Sequence, residues 1–368
     1  MYQYLQQSSC LRLYANAIHK YRDITAGTRE PSTKTYKKRV RHPQKVGSLT
    51  RKGRKSVSGI IFKSMKFGLI GHPIARSLSP MLFNAAYDGK YPYDLIQGED
   101  FETSYKRFLD EYDGINVTAP FKELAFAKAD IISEECRMAQ ATNLLVKTPE
   151  GIKAYNSDLL GVRLWLQEIT ASTASGVPAG EKRATPLALF DAGTPEAEQR
   201  RFTVLVCGCG GAGKAVAAAA AMLGMKCILM NRDITRAENL AKHINDNAAG
   251  ISQGQIGQAC NELATVRPLK DFCECFREAD IIIYNIPSAI EEINILTDKD
   301  FNKGTPKHIL EANYKNPSFD ETFVQKMQEA NPEATYTGGR TWLLYQALTG
   351  YEIFTGEKPD LAKMSDVL

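Results

Sequence analysis

The chain has 368 residues, of which 43% are hydrophobic and 24% charged, and its formal net charge is +4. This length and apolar content allow more than one buried core and predict two domains. Uninterrupted apolar runs stay well short of the roughly 20 residues that a transmembrane helix needs, so we expect no membrane-spanning segment.

The positive charge is concentrated in residues 1–64, which hold fifteen lysines or arginines against two acidic residues. Within them, KKRVRHPQKVGSLTRKGRK (37–55) lacks hydrophobic periodicity, and its like charges predict disorder. Three interpretations stay open: an arm for nucleic acid or another acidic surface, an organellar targeting segment, or translation from upstream of the true start. We favour the last, because Met65 directly precedes an apolar strand.

The eight cysteines show neither a secreted disulfide framework nor the four-ligand spacing of a zinc site. We therefore expect free thiols, no metal site and a reducing, cytoplasmic location.

In chain order, strand-like and helix-like stretches alternate from Met65 to about Asp158 and predict an α/β domain. The stretch 122–141 has the pattern of one helix, and 143–156 that of a hairpin turning at 149–151. Helical spacing over 159–169 leads out of this domain. Residues 170–201, rich in Ala, Gly, Pro, Ser and Thr, predict a linker insertion.

A second α/β repeat begins at Phe202 with a buried strand, a helix over 213–223, a strand over 225–232 and a helix over 235–245. Further strands and helices follow, and their alternation predicts a parallel sheet with right-handed crossovers. The last helix, TWLLYQALTGYEIFTG (341–356), is apolar and should return to the first domain. We predict domains at 65–165, completed by about 340–368, and at 202–339.

The segment GCGGAGKA (208–215) lies where a buried strand meets a helix. It nearly matches the phosphate loop of ATPases, but Ala215 replaces the hydroxyl residue that binds Mg²⁺. Gly208, Gly210 and Gly211 instead fit a dinucleotide loop, in which N–H groups at a helix N-terminus bind the pyrophosphate. A tight turn chosen for packing is the alternative.

The segment NRDITR (231–236) follows at the distance where a Rossmann fold binds the adenosine ribose. Arg232 and Arg236 suit a 2′-phosphate, because guanidinium groups pair with phosphate in bidentate fashion. Asp233 would repel a phosphate and suits a ribose 2′-hydroxyl. These residues favour NADP and leave NAD open; alternatively they are solvated residues at a helix start, with Asp233 as N-cap.

Two charged residues follow strands of the first domain. Hydride transfer to a carbonyl leaves an alkoxide that needs a proton, and an ammonium beside a carboxylate can supply it. Lys122 and Asp158 are candidates for such a pair, although each alone would be taken for a surface charge.

Eight motifs, in order along the chain from Met65 onwards, resemble those of the shikimate dehydrogenase family. They are SLSP (77–80), NVTAPFK (116–122), ATNLL (141–145), YNSD (155–158), GCGGAGKA (208–215), NRDITR (231–236), EANYKNP (311–317) and GGRTWLLYQA (338–347). Residues 1–64 lie outside the resemblance.

The resemblance implies a substrate-binding catalytic α/β domain, a Rossmann NADP-binding domain, and reversible reduction of 3-dehydroshikimate to shikimate in chorismate and aromatic amino acid biosynthesis. It implies Lys122 and Asp158 as the catalytic pair. The substrate-binding residues it implies are Ser77, Ser79, Asn116, Thr118, Asn143, Tyr314 and Gln346. The cofactor-binding residues it implies are Gly208, Gly210, Gly211, Ala212, Asn231, Arg232, Asp233 and Arg236.

By the same resemblance, Ser77, Ser79 and Tyr314 would hold the substrate carboxylate. Lys214 has no phosphate-loop role once Ala215 excludes an ATPase, so we expect it to be a first-turn helix residue near solvent. We expect a monomer or homodimer, with no nucleic acid on the folded part. Departures from the usual family pattern are His72 for Asn, Arg76 for His, Ser157 for Thr, Asp233 for Thr, Glu311 for Asp and Trp342 for Met.

Two alternatives remain. An NAD-dependent quinate/shikimate dehydrogenase shares the fold and the catalytic pair, but serine at both Ser77 and Ser79 favours shikimate. A catalytically silent regulatory or binding protein with a basic nucleic-acid arm belongs to another class. The presence of both Lys122 and Asp158 argues against it.

Overall fold

A computed structural model describes residues 65–175, 202–252, 262–301 and 305–368. The basic extension (1–64) and residues 176–201 of the predicted linker lie outside the described residues. The described residues form two six-stranded sheets with helices packed against them, which confirms the predicted α/β class with a Rossmann sheet.

The strands of the first sheet are β1 (Phe67–Gly71), β2 (Tyr93–Gln97), β3 (Gly114–Val117), β4 (Ile131–Ile132), β5 (Leu144–Thr148) and β6 (Gly151–Tyr155). Those of the second are β7 (Thr203–Cys207), β8 (Lys226–Met230), β9 (Ala264–Val266), β10 (Ile281–Tyr284), β11 (His308–Glu311) and β12 (Thr335–Thr337).

The helices up to the glycine-rich loop are α1 (Ser79–Tyr87), α2 (Phe101–Glu111), α3 (Lys122–Ala127), α4 (Glu134–Ala139), α5 (Ser157–Ser175) and α6 (Gly211–Met222). The later ones are α7 (Ile234–Ser252), α8 (Phe272–Glu278), α9 (Glu321–Ala330), α10 (Gly339–Thr355) and α11 (Leu361–Asp366). Short 3₁₀ turns occupy Leu269–Asp271, Glu291–Ile295 and Asp298–Phe301.

The first sheet has the strand order β2-β1-β3-β5-β6-β4. Strand β5 runs antiparallel to both of its neighbours, β3 and β6, whereas β1 is parallel to β2 and β3, and β4 is parallel to β6. Consequently β1, β3 and β6 all point the same way, and their carboxyl ends share one edge. The β5–β6 hairpin turns between residues 148 and 151, as predicted.

The second sheet is parallel throughout its described strands, in the order β12-β11-β10-β7-β8-β9. Within this sheet, the chain begins at the central strand β7 and adds β8 and β9 on one side. It then returns to the centre and adds β10, β11 and β12 on the other side. Ligands of such doubly wound sheets bind at this switch point, beyond the carboxyl ends of the two central strands. Gly208 and Asn285 directly follow β7 and β10 there.

Several predicted boundaries were wrong. The single helix expected over 122–141 is two short helices, because β4 between them pairs with the edge of β6, and Asp130 Oδ2 accepts a hydrogen bond from the Ile152 N–H (2.7 Å). Residues 170–175, expected in the linker, continue α5. Helix α6 begins at Gly211 rather than at residue 213, and β9, β12 and α11 were not predicted.

One apolar core joins the two sheets. The alanine-rich helix α6 is almost wholly buried, and its small side chains let α4 and α5 pack closely against it. This core combines Met138, Leu159 and Trp165 from the first half of the chain with Val206 and Leu229 from the second.

The last long helix, α10, packs against α5 and α1, and so returns to the first sheet as predicted. The ring of Phe354 near its end stacks on Phe67 of β1, with 4.9 Å between centroids. Among the described residues, no helix is both long and apolar enough to cross a membrane.

Candidate active site

Lys122 and Asp158 meet at the shared carboxyl edge of the first sheet. Lys122 is the first residue of α3, shortly after β3, and Asp158 is the second residue of α5, shortly after β6. The Lys122 Nζ lies 2.5 Å from Asp158 Oδ2, and the two side chains are only 14% and 13% exposed. An ion pair screened this far from water interacts more strongly than a surface pair, and its ammonium can act as a proton donor.

Asn143 and Gln346 lie in a hydrogen-bonded cluster beside this pair. Asn143, just before β5, donates from Nδ2 to Ser157 Oγ (2.9 Å) and accepts from the Ser157 N–H (2.7 Å). The Ser157 hydroxyl donates to Gln346 Oε1 (3.3 Å). Because Ser157 adjoins Asp158, the cluster fixes the start of α5. Its donors and acceptors are neutral, which suits a ligand rich in hydroxyl groups.

Asn116 and Thr118 lie in and directly after β3. Asn116 is buried, and its Nδ2 donates to the Asn143 carbonyl over a long 3.4 Å. The Asn116 Oδ1 accepts from the Tyr93 hydroxyl (2.7 Å). Thr118 packs its methyl group against Gly71, where a Cβ atom would lie 2.3 Å from Thr118 Cγ2.

The two serines lie where the loop after β1 leads into α1. The Ser77 hydroxyl donates to Ser79 Oγ (3.1 Å), and the Ser79 carbonyl accepts from the Tyr351 hydroxyl (3.1 Å). Ser79 is the first residue of α1 rather than its N-cap, which is Leu78. The Ser79 side chain therefore does not cap the helix, and both hydroxyls remain available to a ligand.

Tyr314 reaches this loop from the second sheet. Its hydroxyl interacts with the backbone of Leu78, while burial raises the pKa of Tyr314 and keeps the phenol protonated as a donor. The Tyr314 loop is anchored by Glu311, whose carboxylate accepts from the Ser318 N–H (2.5 Å) and from the Tyr336 hydroxyl (2.8 Å). Glu311, which stands where the family usually has Asp, thus stabilises the loop that carries Tyr314.

The glycine-rich loop has the shape of a phosphate cradle. Gly208 has φ +95°, a left-handed conformation that favours glycine, and a Cβ at Gly213 would lie 1.7 Å from the Gly208 carbonyl oxygen. Around Gly210 the described chain leaves open space, with no heavy atom within 4 Å of an added Cβ. Helix α6 starts here without a side-chain cap from any described residue, and the N–H groups of a first helical turn have no partner within the helix.

These features fit a dinucleotide. The open side of Gly210 allows close approach of a pyrophosphate, and the uncapped helix start supplies donors for it. The neighbouring Asn285 Oδ1 is buried and has no hydrogen-bond partner among the described residues, which is unusual for a polar atom. Ala212, also expected at the cofactor, packs partly into the core beneath the loop.

The NRDITR segment lies at the end of β8 and the start of α7. Asn231 Oδ1 accepts from the Cys209 N–H (3.0 Å), tying this segment to the glycine-rich loop. Arg232 is exposed. Asp233 Oδ1 accepts from the Thr235 N–H (3.1 Å), and Asp233 Oδ2 lies 3.6 Å from Arg236 Nε. Asp233 therefore supports the start of α7, as the N-cap alternative predicted, and it also lies close enough to Arg236 to neutralise part of its charge.

Lys214 lies in the first turn of α6, as expected, but its side chain is more enclosed than that of a solvated lysine. Its Nζ lies 2.7 Å from Glu123 Oε1, and its side chain is only 18% exposed. Glu123 directly follows Lys122 in α3. The pair therefore links the helix that carries the candidate catalytic lysine to the helix that opens at the glycine-rich loop.

Sequence reasoning missed Tyr93, Ser157 and Tyr351 as members of the site. Ser157 lies in the YNSD motif (155–158), and its position directly before Asp158 is a signal that it belongs to the site. Tyr93 and Tyr351 are far from the motifs along the chain and look like ordinary apolar positions, so no local pattern distinguishes them.

A family model described as the shikimate dehydrogenase substrate binding domain matches residues 69–145. The shikimate dehydrogenase (NADP(+)) of Acinetobacter baumannii is 28% identical over 304 residues, which cover 80% of this chain and 97% of that protein.

Solved structures share the fold. A Thermus thermophilus shikimate 5-dehydrogenase in complex with NADP(H) and shikimate has a TM-score of 0.58 at 22% identity, covering 82% of this chain and 98% of the other. A Corynebacterium glutamicum quinate dehydrogenase in complex with NAD has a TM-score of 0.60 at 21% identity, covering 83% and 98%.

A Rossmann sheet and an enclosed Lys–Asp pair on a second α/β sheet define the class of two-domain, dinucleotide-dependent dehydrogenases. Sequence and fold similarity extend over both sheets. Over both sheets the chain is similar to shikimate dehydrogenases, and its residues 69–145 match the substrate binding domain of that family.

Proposed function

We propose that this protein is an NADP-dependent shikimate dehydrogenase, which reversibly reduces 3-dehydroshikimate to shikimate in the biosynthesis of chorismate and aromatic amino acids. The observation that carries the proposal is the enclosed Lys122–Asp158 pair, which lies directly against Gly211 of the glycine-rich loop. A proton donor and a dinucleotide cradle thus share one cleft. The matched relatives named for NADP and for shikimate support the same activity.

Residues of the second sheet would hold the cofactor. The N–H groups at Gly210 and Gly211 would bind its pyrophosphate, with Ala212 in the same helix turn. Arg232 and Arg236 would bind the 2′-phosphate, while Asn231 holds the two segments together. When bound, the nicotinamide supplies the hydride that reduces the substrate carbonyl.

Residues of the first sheet would bind the substrate. The hydroxyls of Ser77 and Ser79 would hold the carboxylate, with Tyr314 contributing from the opposite side of the cleft. Thr118 would contact the ring together with three amide side chains, those of Asn116, Asn143 and Gln346. Neutral donors and acceptors suit such a polyhydroxylated acid, because each hydroxyl needs a partner when it leaves water.

Lys122 would supply the proton. Its ammonium gives a proton to the carbonyl oxygen as that oxygen becomes a hydroxyl, and in the reverse direction the neutral amine accepts it. Asp158 accepts a hydrogen bond from Nζ at 2.5 Å and so holds the Lys122 side chain in place. The Trp342 indole N–H donates to the Asp158 carbonyl (3.4 Å) and so helps to fix this turn.

A second candidate is an NAD-dependent quinate/shikimate dehydrogenase. Asp233 favours it, because a carboxylate beside the adenosine ribose repels a 2′-phosphate and partly neutralises Arg236. A quinate dehydrogenase in complex with NAD is also among the solved structures with this fold. Serine at both Ser77 and Ser79 favours shikimate.

The domain limits follow from this proposal: a catalytic domain at 65–165 completed by about 340–368, and a cofactor domain at 202–339. We also propose a cytoplasmic location, which the free state of all six cysteines among the described residues supports.

An absorbance assay at 340 nm tests the proposed activity. The purified full chain is given shikimate or quinate, each with NADP⁺ or NAD⁺. We expect the highest kcat/KM with shikimate and NADP⁺. Preference for quinate with NAD⁺ would establish the second candidate, and lack of turnover with all four pairs would contradict both.

A further inference from the structure

Tyr93 begins β2, at the edge of the first sheet next to β1. Its side chain crosses the face of β1 and reaches β3, where the phenol donates to Asn116 Oδ1 over 2.7 Å. Tyr93 and Asn116 are 23 residues apart along the chain, and β1 separates their strands in the sheet.

We propose that Tyr93 is a positioning residue of the substrate site, which orients the Asn116 amide for a substrate hydroxyl. The inference rests on the proposed function. An amide side chain can turn either its oxygen or its nitrogen toward a ligand. With its oxygen bound to the Tyr93 phenol, Asn116 turns its NH₂ group toward the site, where its long bond to the Asn143 carbonyl (3.4 Å) is easily exchanged.

The same phenol also interacts with the carboxylate-binding side of the site. The Ser79 side chain interacts with the Tyr93 hydroxyl, and Ser79 accepts in turn from Ser77. Tyr93 therefore stands between the serine that would hold the substrate carboxylate and the asparagine that would hold a ring hydroxyl. Burial raises the pKa of Tyr93, so its phenol remains a donor at neutral pH.

The Tyr93 ring is held firmly enough for this role. It packs against Phe83 with 4.7 Å between centroids and lies 6.2 Å from Tyr351, within the apolar cluster under α1 and α10. A phenylalanine at position 93 would keep this packing and lose only the hydroxyl. The substitution Tyr93→Phe therefore separates orientation of Asn116 from folding of the sheet.

Steady-state kinetics of Tyr93→Phe test the inference. Loss of one buried hydrogen bond predicts a KM for shikimate raised about tenfold, with kcat within about twofold and the KM for NADP⁺ unchanged. Tyr105→Phe is the matched control, since the Tyr105 phenol donates to the Lys128 carbonyl (3.3 Å) away from the site. We expect that control to have wild-type kinetics.

A double-mutant cycle with Asn116→Ala shows whether Tyr93 acts through Asn116. If it does, Tyr93→Phe raises the KM about tenfold in the wild-type background and changes it less than twofold once Asn116 is absent. Equal effects in both backgrounds, or an unchanged KM in Tyr93→Phe, would overturn the inference while leaving the proposed function intact. A wild-type protein inactive on shikimate would overturn both.

Discussion

The methylene chain of Lys122 lies against Gly211, so closely that a Cβ atom at position 211 would lie 2.9 Å from Lys122 Cδ and 3.2 Å from Lys122 Cβ. The proposed proton donor and the proposed cofactor loop are thus in van der Waals contact across the cleft. Glycine at position 211 therefore leaves room for the lysine side chain, and it would also admit the pyrophosphate in the proposed complex.

Substitution Gly211→Ala should displace Lys122 from Asp158. We expect kcat for shikimate oxidation to fall about tenfold, since a misplacement near 1 Å in a catalytic group is costly. The same methyl group at Gly210 meets open space in the described chain, so Gly210→Ala should leave kcat largely intact and raise the KM for NADP⁺. Equal loss of kcat in Gly211→Ala and Gly210→Ala would show that the contact between Lys122 and Gly211 does not contribute specifically to catalysis.

Removal of the ammonium should abolish proton transfer. For Lys122→Ala we expect kcat to fall by about 10²–10⁴, with the Kd of NADP⁺ from fluorescence titration nearly unchanged. Lys128→Ala is a suitable control, because Lys128 follows the same helix and pairs only with exposed Glu102 (3.0 Å) among the described acids. A Lys122→Ala variant with wild-type kcat would refute the role of this lysine.

The charge on Asp233 should weaken NADP relative to NAD. Asp233→Thr removes that charge, frees Arg236 and keeps an oxygen for the Thr235 N–H, so the kcat/KM ratio of NADP⁺ to NAD⁺ should rise about fivefold. Asp233→Asn, which retains the acceptor, should move the ratio in the same direction. An unchanged or reversed ratio would mean that Asp233 does not face the ribose.

His308 should make folding stability depend on pH. This histidine is buried at the start of β11, and burial lowers its pKa from 6.5 to about 4. Between these values the unfolded chain binds a proton that the folded chain excludes, so the free energy of unfolding should fall from pH 6.5 to pH 4 by up to about 3 kcal/mol.

Urea unfolding of His308→Gln measures this contribution, since glutamine cannot titrate but can still bond Thr335 Oγ1, which lies 2.7 Å from His308 Nδ1. The variant should show a flatter profile than the wild type over this range. If the free energy of unfolding of His308→Gln varies with pH as that of the wild type does, groups other than His308 cause the acid sensitivity.

Much of the fold could be predicted from the sequence, because strand and helix periodicities and the glycine-rich turn are local properties. Lys122 and Asp158 could also be predicted, since each follows a strand and carboxyl ends of parallel strands share an edge. The break in the 122–141 helix could not, because the pairing of β4 with β6 exists only in the folded sheet. The pairing of Lys214 with Glu123 and the reach of Tyr93 to Asn116 likewise depend on tertiary packing.

The alanine-rich helix α6 should make the two sheets unfold as a single cooperative unit. Its buried face belongs to one core with Leu159 and Trp165 of α5, so neither half could melt without exposing the apolar surface of the other. Calorimetry of the full chain should accordingly show both sheets unfolding in one transition. NADP⁺, bound by one sheet, should then raise the melting temperature of both.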